Sequence, residues 1–276
     1  MPLAELRPYA QISLVMVGAA LSVGCVNYSA RLEGNAQAAG RIVERYTGLN
    51  HPVLAVLPQT VKSRVLRVYI EGDGHAWATS SQPNTDPTPH DNLVANLAAN
   101  DPSGAAYLAR PCQFVTNEHC NPMVWTDQRF SLQAISEMSS ALDDIKRRYS
   151  ISNIELVGYS GGGAVALLLA AQRNDIVSVQ TLAGNVAVTA WAQLHGLTPL
   201  NGSLDPVSYA DKLGAIPQRH LVGDQDTVVP QAVASAYLSK LGSSHCVEIV
   251  TVNASHRDGW QTAWADFSQR PTNCMK

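Results

Sequence analysis

Hydrophobic and polar positions along the chain alternate between a strand period and a helix period. Val65–Ile70 (VLRVYI), Ala105–Ala109, Ile154–Val157, Val177–Leu182, His220–Val222 and Val247–Val252 are short apolar runs of strand length, most of them rich in β-branched residues. Between them the apolar residues recur at three- and four-residue spacing. Leu132, Ile135, Met138, Leu142 and Ile145 predict a helix from about Ser131 to Arg148. Shorter helices are expected over His90–Ala99, Ala164–Ala171, Gln231–Lys240 and Arg257–Phe267. Strands alternating with helices imply an α/β fold with a mostly parallel central sheet and helices on both faces. Two polar stretches, 80–90 and 112–130, read as loops. No internal repeat or Pro/Gly/Ser-rich linker divides the chain, so one domain over residues 40–276 suffices.

Composition narrows the class. The 276 residues are 46% hydrophobic and 15% charged, enough to bury a large core and too apolar for a disordered chain. A net charge of -3 with no Lys/Arg run leaves no electrostatic footprint for nucleic acid. A dinucleotide-binding enzyme is excluded by the lack of G-x-G-x-x-G after the first strand.

The front of the chain differs from the rest. Ile12–Leu21 (ISLVMVGAAL) is too short to span a bilayer but has the length of a signal-peptide core, so residues 1–24 are expected to be an export signal. The run LSVGC ending at Cys25 resembles the lipobox of bacterial lipoproteins, with Ser22 standing where that family usually has Leu. The resemblance implies lipidation of Cys25, a tether over residues 25–39 and a membrane-anchored envelope protein. Val26, in place of Asp, then favours the outer membrane in a Gram-negative host. Ser22 and Gly24 equally suit ordinary cleavage, which would give a periplasmic or secreted protein. Lipidation would explain an odd cysteine count: of the five, Cys112, Cys120, Cys246 and Cys274 remain, and proximity pairs Cys112 with Cys120 and Cys246 with Cys274. A zinc site would ask for CxxC or paired His spacing, which is missing, and no metal is expected.

The turn after Ile154–Val157 reads Gly158-Tyr159-Ser160-Gly161-Gly162, a G-x-S-x-G sequence between a predicted strand and a predicted helix. A serine on so tight a turn projects its hydroxyl, and the helix behind aims N–H groups and a dipole at the same point. Serine needs a base to be nucleophilic at neutral pH. His256, following the strand Val247–Val252, is the candidate. An orienting acid is expected between them, in Gly223-Asp224-Gln225-Asp226-Thr227-Val228-Val229-Pro230, where Asp224 and Asp226 compete. His195 and His220 do not fit this order and read as structural, and Trp77, Trp191, Trp260 and Trp264 read as core or pocket wall. His75 fits either a pocket wall or a surface role.

With these residues the chain resembles the α/β-hydrolase fold superfamily over about residues 40–270, in the order Ser160, acid, His256. The superfamily's G-x-x-D-x-x-V-P run selects Asp226. The resemblance also implies an oxyanion hole from the N–H of Gly161 and the N–H of Asp73, or Gly74, in the turn Glu71-Gly72-Asp73-Gly74, although relatives often carry His where Glu71 stands. Asp73's carboxylate is expected to point away from the oxyanion. The segment from Ala183 to Arg219 corresponds to a short cap insertion. The implied function is hydrolysis of a small-molecule carboxylic ester through an acyl-enzyme, with amide and thioester bonds open and no cofactor. An idle hydrolase fold serving as an anchored binding module is the rival.

Overall fold

The computed structural model describes residues 27–242 and 244–274; the expected export signal and Cys25 lie outside the described residues. Eight strands form one sheet: β1 (Ile42–Tyr46), β2 (Val53–Leu57), β3 (Val65–Ile70), β4 (Ala106–Leu108), β5 (Asn153–Tyr159), β6 (Ile176–Leu182), β7 (Gln218–Gly223) and β8 (Val247–Val252). Their order is β1-β2-β4-β3-β5-β6-β7-β8. All pairings from β4 to β8 are parallel, and β2 runs antiparallel to both β1 and β4.

The helices are α1 (Tyr28–Ala38), α2 (Leu93–Ala99), α3 (Pro122–Trp125), α4 (Leu132–Tyr149), α5 (Gly161–Gln172), α6 (Val188–Leu194), α7 (Ala210–Leu213), α8 (Gln231–Leu241) and α9 (Trp260–Phe267). Alternating side chains of each strand go to opposite faces. Val68, Ile70 and Leu156 pack with α4, α5 and α8, while Tyr69, Tyr107 and Val157 pack with α1, α2 and α9. The stripe read from α4 is the buried one, with Ile135, Met138, Leu142 and Ile145 inside, though Leu132 is exposed. Ser131 caps α4 by accepting the Ala134 N–H at 3.2 Å. In α5 nearly every residue is buried, because the helix lies between sheet, α4 and the short helices that follow.

The segment expected as a tether carries α1, anchored by Leu32 and Ala36 in the core and by stacking of Tyr28 on His90 at 4.2 Å. The β6–β7 connection is short, holding α6, the 3-10 turn Pro206–Tyr209 and α7. No helix among the described residues is long and apolar enough to cross a membrane. Cys112 is bonded to Cys120 and Cys246 to Cys274, worth about 2.5 and 3.5 kcal/mol by loop-closure entropy. Two such bridges suit an oxidising compartment outside the cytosol.

One charged network ties β3 to the α9 face. Arg67 Nη1 donates to Asp101 Oδ2 at 2.8 Å, Tyr69 OH donates to the same oxygen at 2.6 Å, and Trp264 Nε1 donates to Tyr69 OH at 2.7 Å. Burial opposes ionisation of Asp101, but donors from Tyr69 and Ser103 and the Arg67 charge outweigh it and hold the carboxyl below its usual range. A carboxylate whose folded pKa is depressed stabilises the fold fully above its unfolded pKa of about 4, and loses that contribution as pH falls through its folded value. Urea midpoints measured from pH 6 to pH 3 should therefore fall more steeply for wild type than for Asp101→Asn. Equal slopes would remove Asp101 from acid lability.

Candidate active site

The strand β5 ends at Tyr159 and α5 begins at Gly161, so a single residue makes the turn. That residue, Ser160, holds φ 51° and ψ -122°, a strained setting for a residue with a side chain. The flanking glycines make it feasible. A β-carbon on Gly158 would overlap the carbonyl of Gly162, and one on Gly162 would lie 2.5 Å from the carbonyl oxygens of Ile70 and Glu71. The turn thus fits tightly against the end of β3.

Ser160 Oγ lies 3.1 Å from His256 Nε2, and His256 Nδ1 lies 2.9 Å from Asp226 Oδ2. Asp226 is held rigidly: its side chain is fully buried, and Oδ1 accepts the N–H groups of Val228 and Val229, each at 2.8 Å. One carboxylate oxygen fixes the loop and the other faces the imidazole. Asp224, its competitor in the sequence, instead accepts the Ala254 N–H at 3.3 Å. His256 sits on the loop between β8 and α9, and its carbonyl accepts from Tyr159 OH at 2.6 Å and Trp260 Nε1 at 3.0 Å. Helix α9 therefore starts at Trp260, later than the pattern predicted, because the preceding residues form this loop.

The turn Glu71–Gly74 follows β3 and touches the same point. A β-carbon on Gly72 would be 3.3 Å from Ser160 Cβ. The N–H groups of Asp73 and Gly161 have no acceptor among the described residues. Gln113 Nε2 donates to the Gly72 carbonyl at 3.0 Å and fixes the turn from below. Asp73's carboxylate sits between Gly161 and two arginines. It lies against Gly161, where a β-carbon would overlap Oδ1, and is drawn there by Arg110 Nη1 at 3.3 Å and Arg129 Nε at 3.2 Å. Opposite charge decides its direction.

No protein-family profile matches the chain, and no curated protein sequence matches it. Solved structures do. An esterase from Pyrococcus furiosus superimposes with a TM-score of 0.60 at 13% identity, over 85% of this chain and 90% of that one. The acylaminoacyl peptidase of Pyrococcus horikoshii gives 0.61 at 14%, over 86% of this chain and 42% of the peptidase. An alpha-beta serine hydrolase homologue from Coxiella burnetii gives 0.54 at 17%, over 83% and 93%. The chain has the α/β-hydrolase fold.

Several further residues shape this site. Glu71 is buried behind the turn, accepting the Gly72 N–H at 2.9 Å and Tyr107 OH at 2.9 Å. Burial pushes its carboxyl up to about 7 against those two donors. Arg110, Gln113 and Arg129 stand outside any sequence motif, and Tyr159 fills the variable position of G-x-S-x-G. His220 is buried between Thr181 and Gln218, and burial pushes its imidazole down to about 3, leaving it neutral. His195 and Trp191 both bond the Val228 carbonyl, bracing α6 against the acid loop. Trp260 and Trp264 are core, Trp77 is instead exposed, and the tilted His75 ring packs on His90 at 4.0 Å.

Proposed function

We propose that the protein is a serine hydrolase that cleaves a carboxylic ester through an acyl-enzyme. The reading rests on one observation: the continuous line from Ser160 Oγ through the His256 ring to buried Asp226. In this reading Ser160 attacks the carbonyl carbon while His256 takes its proton and then returns it to the leaving oxygen. Asp226 holds the imidazole tautomer and stabilises the transient imidazolium. The free N–H groups of Asp73 and Gly161 receive the oxyanion, aided by the N-terminus of α5, each donor worth about 3 kcal/mol in the transition state. Water then attacks the acyl-enzyme by the reverse proton route. An esterase and an acyl peptidase among the similar structures are in keeping with this chemistry. No cofactor enters the scheme.

The short cap and its mixture of apolar and small polar residues support a small ester over a long lipid chain. The export signal and lipidated Cys25 are proposed to hold the enzyme at the cell envelope, on the reading of residues 1–25 alone. The substrate class is tested by comparing p-nitrophenyl acetate with the corresponding p-nitroanilide. Turnover of the ester well above that of the anilide is expected; preference for the anilide would make the enzyme an amidase.

A further inference from the structure

Next to Ser160 two arginines share one carboxylate. Arg110 and Arg129 are each 5% exposed, and Asp73 is the only carboxylate within ion-pair distance of either among the described residues. Arg110 is committed to the protein, since Nη1 donates to Asp73 and Nη2 donates to the Arg129 carbonyl. Arg129 is not. Its Nε is at ion-pair distance from Asp73 but out of hydrogen-bond alignment, and its terminal nitrogens, which are not fully buried, make no hydrogen bond among the described residues. Arg110 Nε is buried without a partner. Two guanidiniums against one carboxylate leave the cluster with an excess positive charge, which favours an anion at the terminal nitrogens of Arg129.

The place of this cluster decides what the anion is. Asp73 bridges it to Gly161, and the Arg129 guanidinium lies 5.5 Å over the ring of Trp191, whose indole is tied to the acid loop at Val228. Arg129 therefore spans from the turn at Asp73 to α6. Phe130, 5.4 Å away, completes an aromatic bracket that fixes the guanidinium plane. None of these contacts involves His256, which must stand beside the leaving group to protonate it. The acyl part is left to face the arginine.

We propose that Arg129, backed by Arg110, is an anion-recognition group of the acyl site, and that the substrate is an ester whose acyl part carries a free carboxylate. The proposal rests on the serine hydrolase reading above for its chemistry, but its binding test does not. Arg129 is a specificity residue here, binding the substrate carboxylate through its terminal nitrogens; the side chain of Asp73 competes with that carboxylate for the same guanidinium.

The experiment compares p-nitrophenyl monoesters of succinate, glutarate and adipate with neutral p-nitrophenyl esters of equal acyl length, in wild type, Arg129→Gln, Arg129→Lys and Asp73→Asn. Uncatalysed hydrolysis is subtracted, and thermal melts check folding. In wild type, kcat/KM should favour at least one anionic ester by roughly tenfold or more, the size expected of a charge-assisted contact. The preference should vanish in Arg129→Gln, survive in part in Arg129→Lys, and increase in Asp73→Asn, a gain that a purely structural role for the ion pair would not produce. Calorimetry of free glutarate and adipate with each protein reads the same site without turnover. Neutral esters cleaved as fast as anionic ones, with no dicarboxylate binding, would overturn the anion site and leave the hydrolase reading standing. Dicarboxylate binding lost in Arg129→Gln, in a wild type that cleaves no ester, would keep the anion site and sink the hydrolase reading. Loss of both would refute both.

Discussion

Replacing Ser160 by alanine should lower ester turnover by about a millionfold while leaving the fold intact. Removing the nucleophile of a serine triad costs about that much, because the base and acid have no role without it, and the remaining rate comes from binding and the oxyanion donors. Stability should not fall. Ser160 holds φ 51°, and its side chain bonds only to His256, so alanine gives up one partly exposed hydrogen bond at the same backbone strain. The check is kcat on p-nitrophenyl acetate together with thermal melts of both proteins. A variant that retains wild-type turnover would mean another nucleophile.

Asp226→Asn should lower kcat by about ten-thousandfold, and Asp224→Asn should do little. Asparagine fits the space of the carboxylate and can still accept the Val228 and Val229 N–H groups through its amide oxygen. What it presents to His256 Nδ1 is then an N–H donor. The imidazole must turn its lone pair to Nδ1 and its proton to Nε2, the wrong tautomer for taking a proton from Ser160. Asp224 touches the Ala254 N–H and no part of the imidazole. Rates of the two variants side by side test the assignment. If Asp224→Asn were the damaging change, the acid would be misassigned.

How far the sequence carried this picture differs by element. The alternation of strand and helix was legible because parallel strands are buried on both faces and read as apolar runs, and β8 falls on its predicted residues. β2 (VLAVL) is as apolar but lies in a stretch the pattern left unassigned, between Pro52 and Pro58. β1 is half-exposed at the sheet edge and has no clear period to read. Helix α1 is largely polar, with two buried side chains, so no apolar period marks it in the sequence.

The site divides in the same way. Ser160 and His256 came from turn chemistry and chain order. Choosing Asp226 over Asp224 needed the family's run, because both aspartates lie in one turn and only the burial of one against Val228 and Val229 separates them. Arg110 and Arg129 gave no signal, since what buries a charged side chain is a partner 37 or 56 positions away in sequence, at Asp73. The same ion pairs hold Asp73's carboxylate against Gly161.

The most direct measurement is fluorophosphonate labelling of residues 26–276 followed by mapping of the adduct by mass spectrometry. An activated serine reacts with such a probe, and a resting one does not. The expected result is a single adduct on Ser160 in wild type, none in Ser160→Ala, and none in a folded His256→Ala. A folded wild type that stays unlabelled, or an adduct on another residue, would contradict the triad.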